Sequence, residues 1–277
     1  MDNYRLCAFA DEASPMIEGQ IKALKRNGIR LLEIRGVDGV SIAAIDGAKA
    51  SEVRKKLDDQ GISVWSVGSP FGKIGIRDDF KPHFDAFRRG LENALILGAE
   101  RMRMFSFYVE GDIGGAVFDE VCGRLERFSE EAAKAGILLC HENEKGIFGE
   151  KANDCLRIHK ALPEIKAVFD PANFVQAGED TLKAMGLLAP FIDYMHIKDA
   201  LMGSGEIVPA GRGDGNIPEL LKVFKAGVLT VEPHLRVFAG LEKLEKEGEK
   251  SSIGNTYATA DEAFDAAVSA IKAVVGI

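Results

Sequence analysis

The 277-residue sequence is poor in basic charge, in histidine and in long apolar runs. Its 35 Lys and Arg residues against 43 Asp and Glu residues give a net charge of −8, so the overall field opposes nucleic acids and anionic membranes. No apolar stretch reaches the roughly 18 residues of a membrane-spanning helix, and the first residues lack the order of a signal peptide. We therefore expect neither a nucleic-acid nor a membrane partner.

The four cysteines show no C-x-x-C spacing, which argues against a thiolate metal site or a redox pair. A chain of this length can build a core without disulfides. We interpret Cys7, Cys122, Cys140 and Cys155 as reduced core thiols and expect a cytoplasmic protein.

The sequence also lacks a long Pro-, Ser- or Gly-rich linker, which indicates one domain over residues 1–277. Strand-like runs separated by helical patterns start near residues 5, 31, 62, 101, 137, 166, 193 and 228. Eight alternating units predict an α/β fold, a single-domain (β/α)8 TIM barrel. A Rossmann-like sheet is the second choice, but no G-x-G-x-x-G turn follows the first strand.

Helix ends are marked by specific residues. Four helices are predicted to stop at a glycine that leads directly into a strand: Gly28, Gly61, Gly98 and Gly136. Ser14-Pro15 predicts the start of the first helix, and Thr259 with Glu262 predicts a capping box at the last. The fourth strand is expected over 103–107.

Four predicted strands carry a metal-compatible group near their C-terminal end: Glu142, Asp170, His196 and Glu232. In a barrel these ends converge on one mouth, where active sites are built. Three carboxylates and one imidazole suit Mn²⁺, Mg²⁺, Co²⁺ or Zn²⁺, and oxygen donors favour the harder ions. The sequence therefore predicts one divalent metal ion, with Mn²⁺ favoured. Purely structural ion pairs are the alternative.

Four runs resemble the metal-site motifs of the xylose isomerase-like TIM barrels, the sugar phosphate isomerase/epimerase family. They are His141-Glu142-Asn143-Glu144, Phe169-Asp170-Pro171-Ala172-Asn173-Phe174, His196-Ile197-Lys198-Asp199 and Val231-Glu232-Pro233-His234. The resemblance covers nearly the whole chain. It implies that Glu142 and Glu232 bind the metal and form the catalytic acid/base pair across the substrate. Ketose 3-epimerases of the family commonly have a histidine where this chain has Asn173.

Five further residues are predicted to contact substrate: Lys73, Asn173, Lys198, Arg212 and His234. Lys73 follows a glycine-rich loop, and Arg212 lies after strand seven, where such barrels often bind anions. For Lys198 an ion pair with Asp170 or Glu232 is the alternative, and for Lys73 simple solvation. Glu33 and Arg35 share a strand face and either pair with each other or touch substrate.

The sequence thus predicts a metal-dependent isomerase or epimerase of a sugar or sugar derivative. Proton transfer through a cis-enediolate would use the two glutamates as acid and base. A metal-dependent dehydratase of an inosose-like substrate, or a non-catalytic sugar-binding barrel, is the alternative. A nuclease is disfavoured by the five histidines and the negative charge. The expected partner is a small carbohydrate, and a homo-oligomer stays open. The stretch from Phe238 to Tyr257 is a candidate lid.

Overall fold

The barrel is visible in a computed structural model that describes residues 4–111, 114–238, 241, 252–254 and 257–277. Within these residues, eight parallel strands pair in sequential order, and the ladder of the first strand with the last closes the sheet. They are β1 (Tyr4–Ala8), β2 (Leu31–Ile34), β3 (Ser63–Gly68), β4 (Arg101–Met104), β5 (Leu138–Glu142), β6 (Lys166–Phe169), β7 (Ile192–Ile197) and β8 (Gly227–Val231). The predicted single-domain (β/α)8 barrel is confirmed.

Helices connect the strands around the outside. In the described part of the chain they are α1 (Ile17–Arg26), α2 (Gly47–Asp58), α3 (Phe80–Leu97), α4 (Gly115–Ala135), α5 (Ala152–Ala161), α6 (Pro171–Gln176), α7 (Thr181–Leu188), α8 (Ile217–Val223) and α9 (Ala260–Val275). None of these helices has the length and apolarity needed to span a bilayer.

Most of the helix ends predicted from the sequence are confirmed. Gly28, Gly61, Gly98 and Gly136 all adopt φ between 66° and 70°, the left-handed conformation that stops a helix at little cost for glycine. The capping box of α9 is present, with the hydroxyl of Thr259 accepting from the backbone of Glu262.

Two predicted boundaries were wrong. Helix α1 begins at Ile17, because residues 10–12 form a short 3-10 turn first, and the Ile17 N–H donates to Asp38 Oδ1 at 3.0 Å. Strand β4 ends at Met104, because the Phe105 and Phe107 amides bond to the loop after β3 instead of a strand.

An apolar floor closes the lower half of the barrel. It consists of the buried residues Cys7, Cys140, Val168, Tyr194 and Val228. Three of them lie two positions before Glu142, Asp170 and His196, so they point inward one layer below the predicted ligands. Three of the four cysteines are buried, Cys122 is half-buried, and all are free thiols.

Candidate metal centre and active site

The four predicted ligands meet at the top of the barrel. Glu142 ends β5, Asp170 follows β6, His196 lies in β7 and Glu232 follows β8. All four are buried, and one ligand atom from each lies within 4.8 Å of the others. Four chain segments far apart in sequence therefore place three carboxylates and an imidazole around one point.

His196 is held between carboxylates on both ring nitrogens. Its Nδ1 lies 3.0 Å from Glu142 Oε1, and its Nε2 lies 3.2 Å from Glu33 Oε2. Burial lowers the pKa of His196, but the negative charges of Glu142 and Glu33 outweigh burial and raise this pKa to about 10. The two carboxylates therefore favour a positive charge on the imidazole itself.

Glu33 is a part of the site that the sequence did not assign. It is fully buried, accepts a hydrogen bond from Tyr194 Oη at 2.7 Å, and contacts His196 with its other oxygen. A carboxylate on the outer nitrogen of a histidine keeps the proton there and leaves the inner lone pair for a metal. Glu33 does not pair with Arg35, as one sequence alternative proposed; Arg35 turns instead to the acidic groups of other segments.

Lys198 follows β7 and points toward the same centre as His196. Its Nζ lies 3.0 Å from Asp170 Oδ2 and 3.0 Å from Glu232 Oε2. Burial lowers the pKa of the Lys198 ammonium, yet Asp170 and Glu232 raise it well above its ordinary value. Burial raises the pKa of Asp170 to about 7 despite the nearby ammonium. The sequence suggested an ion pair with Asp170 or Glu232 as the alternative role of Lys198, and the structure contains both ion pairs.

Two arginines hold the glutamates from outside. Arg35 Nη1 donates to Glu232 Oε1 at 3.1 Å, and Arg103 Nε lies 3.0 Å from Glu142 Oε2. Burial raises the pKa of Glu232, but Lys198 and the other positive groups around it hold that pKa well below its usual range. The sequence analysis missed Arg103, although its alternation with Met102 and Met104 in β4 is a usable signal.

His234 lies at the rim with φ of 44°, which turns the chain after β8 back toward residue 12. Its Nδ1 lies 3.0 Å from Glu12 Oε1 and 3.7 Å from Glu232 Oε1. Glu12, Glu232 and His234 form a second group of possible metal ligands. The Arg35 guanidinium lies 3.1 Å from both glutamates of this group, so its positive charge already compensates them.

A cavity of about 440 Å³ opens above the ligands. Of the predicted substrate contacts, Lys73, Asn173, Lys198 and His234 line it, together with Glu142 and Glu232. Lys73 lies 3.0 Å from Glu144 and packs over the ring of Phe105. Asn173 Nδ2 donates to Glu142 Oε1 at 3.3 Å.

Arg212 is not brought to this cavity. The carboxylate of Asp199 accepts the N–H groups of Gly211, Gly213 and Gly215, which bends the loop after β7. Arg212 is consequently exposed and lies in a separate surface depression beside α9. Most of the candidate lid, residues 239–240, 242–251 and 255–256, falls outside the described residues.

The charge balance tests whether a metal ion fits. Five buried carboxylates surround the centre, and three buried basic side chains, Arg35, Arg103 and Lys198, face them together with the His196 imidazolium, leaving one negative charge in excess. The carboxylates are Glu12, Glu33, Glu142, Asp170 and Glu232. Buried charge without compensation is costly. A divalent cation that replaces the additional proton of His196 would balance the five carboxylates, and the donor set of oxygens and one imidazole suits it.

Comparisons with known proteins agree with this geometry. A family model described as xylose isomerase-like TIM barrel matches residues 21–252. Among curated protein sequences, none matches significantly. Similar solved structures include the probable 3-DHS dehydratase AsbF from Bacillus anthracis, involved in petrobactin synthesis, at 15% identity and TM-score 0.74 over 98% of each chain. An L-ribulose 3-epimerase shares 18% identity, with TM-score 0.74 over 100% of this chain and 95% of the other. A D-allulose 3-epimerase from Methylomonas sp. shares 15%, with TM-score 0.72 over 99% of each chain. At these identities the structural likeness concerns the fold.

Proposed function

Because the chain belongs to the xylose isomerase-like TIM barrel family, we propose that it is a divalent-metal-dependent isomerase or epimerase of a sugar or sugar derivative. The names of the L-ribulose and D-allulose 3-epimerases among its structural neighbours support a carbohydrate substrate. Glu142, Asp170, His196 and Glu232 would hold the ion, and Mn²⁺ is the favoured metal. When bound, the ion polarises a carbonyl oxygen and stabilises the negative charge that develops on it.

One observation carries the proposal: Glu142 and Glu232 come from strands β5 and β8, converge on one centre and both line the cavity. A proton on the carbon beside a carbonyl is removed by a base held within hydrogen-bond reach. Two carboxylates approaching from different sides can remove it from one face and return it to another position or face. Removal produces a cis-enediolate of the substrate, and return gives the isomer or epimer.

The neighbouring residues prepare this pair for proton transfer. Arg103 keeps Glu142 oriented through its outer oxygen, and Arg35 does the same for Glu232. Asn173 donates to Glu142 and lines the cavity, so it is positioned to hydrogen-bond a substrate hydroxyl. Its amide side chain does not ionise near neutral pH and therefore cannot act as an acid or base. The burial of both glutamates excludes water that would compete for the enediolate.

The test is deuterium uptake from D₂O into ketoses, aldoses and sugar acids, followed by proton NMR with Mn²⁺ or with chelator. We expect metal-dependent exchange at a carbon beside the carbonyl. Glu142→Gln should lower the exchange rate by about 10²- to 10⁴-fold, the usual contribution of a general acid or base. Glu144→Gln is the matched control, since Glu144 lines the same cavity but pairs with Lys73. Full exchange by Glu142→Gln, with metal bound, would refute the assignment.

Dehydration is a second candidate, supported by a specific feature of the cavity. Loss of water needs a proton donor for the leaving hydroxyl as well as a base. The Lys73 ammonium beside Glu144 lines the cavity and is a suitable donor. In the same NMR experiment, a product that has lost water would select this reaction over epimerisation. Binding of a sugar without exchange or dehydration would indicate a non-catalytic barrel.

A further inference from the structure

The ammonium of Lys198 contacts two of the carboxylates that would hold a metal ion. It lies 3.0 Å from Asp170 Oδ2 and 3.0 Å from Glu232 Oε2. Both carboxylates belong to the four-residue group whose ligand atoms converge within 4.8 Å. The Lys198 ammonium and a metal ion would therefore compete for the same two carboxylates.

The remaining oxygens of these two carboxylates are already engaged. Asp170 Oδ1 accepts the backbone N–H of Asn173 at 2.9 Å as the cap of α6. Glu232 Oε1 accepts from Arg35 at 3.1 Å. Each carboxylate thus has one oxygen left to bind a metal ion. In both cases this is the oxygen that Lys198 contacts.

His196 locates the shared oxygens at the centre. Glu232 Oε2 is the oxygen of that residue that lies 3.7 Å from His196 Nδ1, the ring nitrogen on the side of Glu142. An ion bound between Nδ1 and these oxygens would lie within a few ångströms of the Lys198 ammonium, where like charges repel strongly. The flexible lysine stem lines the open cavity, so the ammonium has room to withdraw.

We propose that Lys198 is the resident counter-cation of the metal-free site and that metal binding displaces its ammonium from Asp170 and Glu232 into the cavity. This rests on the metal site of the proposed function. Before the ion binds, the Lys198 ammonium donates to Glu232 Oε2 and forms an ion pair with Asp170 Oδ2; once displaced, it would be available to substrate oxygens. Metal binding would then also complete the substrate site.

The test is the affinity of the full-length apoprotein for Mn²⁺, measured by isothermal titration calorimetry. Lys198→Met removes the competing charge at nearly constant side-chain length. We expect it to bind Mn²⁺ at least about tenfold more tightly than the wild type, because a repelling charge near the ion is gone. Lys198→Arg keeps the charge and should stay near the wild-type affinity.

Lys73→Met is the matched control. Lys73 is a second basic residue of the cavity, and it pairs with Glu144 instead of a candidate ligand. Its replacement should change Mn²⁺ affinity by less than about threefold, because the ion pair of Lys73 is with Glu144, which is not a candidate ligand, and coupling between separate sites is small. Melting curves give a second readout: with chelator, Lys198→Met should melt below the wild type, and Mn²⁺ should raise its melting temperature more.

Equal or weaker Mn²⁺ binding by Lys198→Met would overturn the role of Lys198 and leave the proposed function standing if the wild type binds metal. No Mn²⁺ binding by either protein would overturn both. Metal binding as expected, without proton exchange in any sugar, would remove the proposed activity alone. If Lys198→Met does not fold without metal, Lys198→Gln purified with Mn²⁺ and titrated with a competing chelator gives the same comparison.

Discussion

Replacing Glu33 by Gln separates metal binding from the chemistry of the cavity. Glu33 is fully buried and does not line the cavity, so it reaches a ligand only through His196. One of its oxygens accepts from Tyr194 Oη at 2.7 Å, and the other lies 3.2 Å from His196 Nε2. A glutamine keeps the shape but has one acceptor oxygen for two partners. An amide nitrogen turned to His196 would favour the tautomer with its proton on Nδ1, which blocks a metal.

The size of the effect follows from this geometry. A hydrogen bond to a charged group contributes about 1.5 to 3 kcal/mol. Loss of the outer partner of a ligand histidine costs about 10- to 100-fold in metal affinity, and the two ranges meet near 2 kcal/mol, or about 30-fold. We therefore expect Glu33→Gln to weaken Mn²⁺ binding about 30-fold while the fold is retained.

Isothermal titration of the apoprotein measures this loss, and Tyr194→Phe is the control. It removes the phenol hydroxyl but leaves the contact of Glu33 with His196, so it should weaken metal binding much less. Co²⁺ substitution gives an independent spectrum of the ligand field, which a merely structural role would not alter. An affinity of Glu33→Gln within about twofold of the wild type would refute the role of Glu33 as the outer partner of His196.

Two further predictions concern stability. His159 is fully buried, and burial lowers its pKa to about 4, so the unfolded chain takes up a proton first as the pH falls below 6.5. Between pH 7 and 4.5 the free energy of unfolding of the wild type should fall about 2 to 3 kcal/mol more than that of His159→Phe; equal slopes in urea titrations would contradict this. Gly72 has φ of 89°, and an added Cβ would clash with the backbone oxygen of Phe105. Gly72→Ala should lose about 2 kcal/mol or more, whereas Gly111→Ala, also at positive φ but with open space, should lose less; similar losses would show that the clash relaxes.

The sequence was most informative where local pattern and function coincide. Glu142, Asp170, His196 and Glu232 each stand at the end of an apolar run, and a barrel necessarily brings such ends together. Their placement in one cluster follows from the fold. Their roles as ligands and bases stay predictions that the experiments above address.

What the sequence did not reveal depends on contacts between distant segments. Nothing local to Glu33 indicates that Tyr194 and His196, more than 160 positions later, supply its partners. The position of Arg212 depends on Asp199 gathering three glycine amides, which turns the loop outward. Strand β4 stopped early because the loop after β3 offered its carbonyl groups to Phe105 and Phe107. Pairing partners of this kind require the assembled fold.

The apolar floor has a kinetic consequence. Cys7, Cys140, Val168, Tyr194 and Val228 pack beneath the predicted ligands, as expected for a TIM barrel, whose interior is a packed core and not a pore. An ion that reaches Asp170 and His196, both fully buried, must travel through the same opening as the sugar. Under the proposed function, bound sugar would lie in the ion's path, so the ion would arrive first and leave last. Saturating sugar would accordingly slow the loss of metal to a chelator.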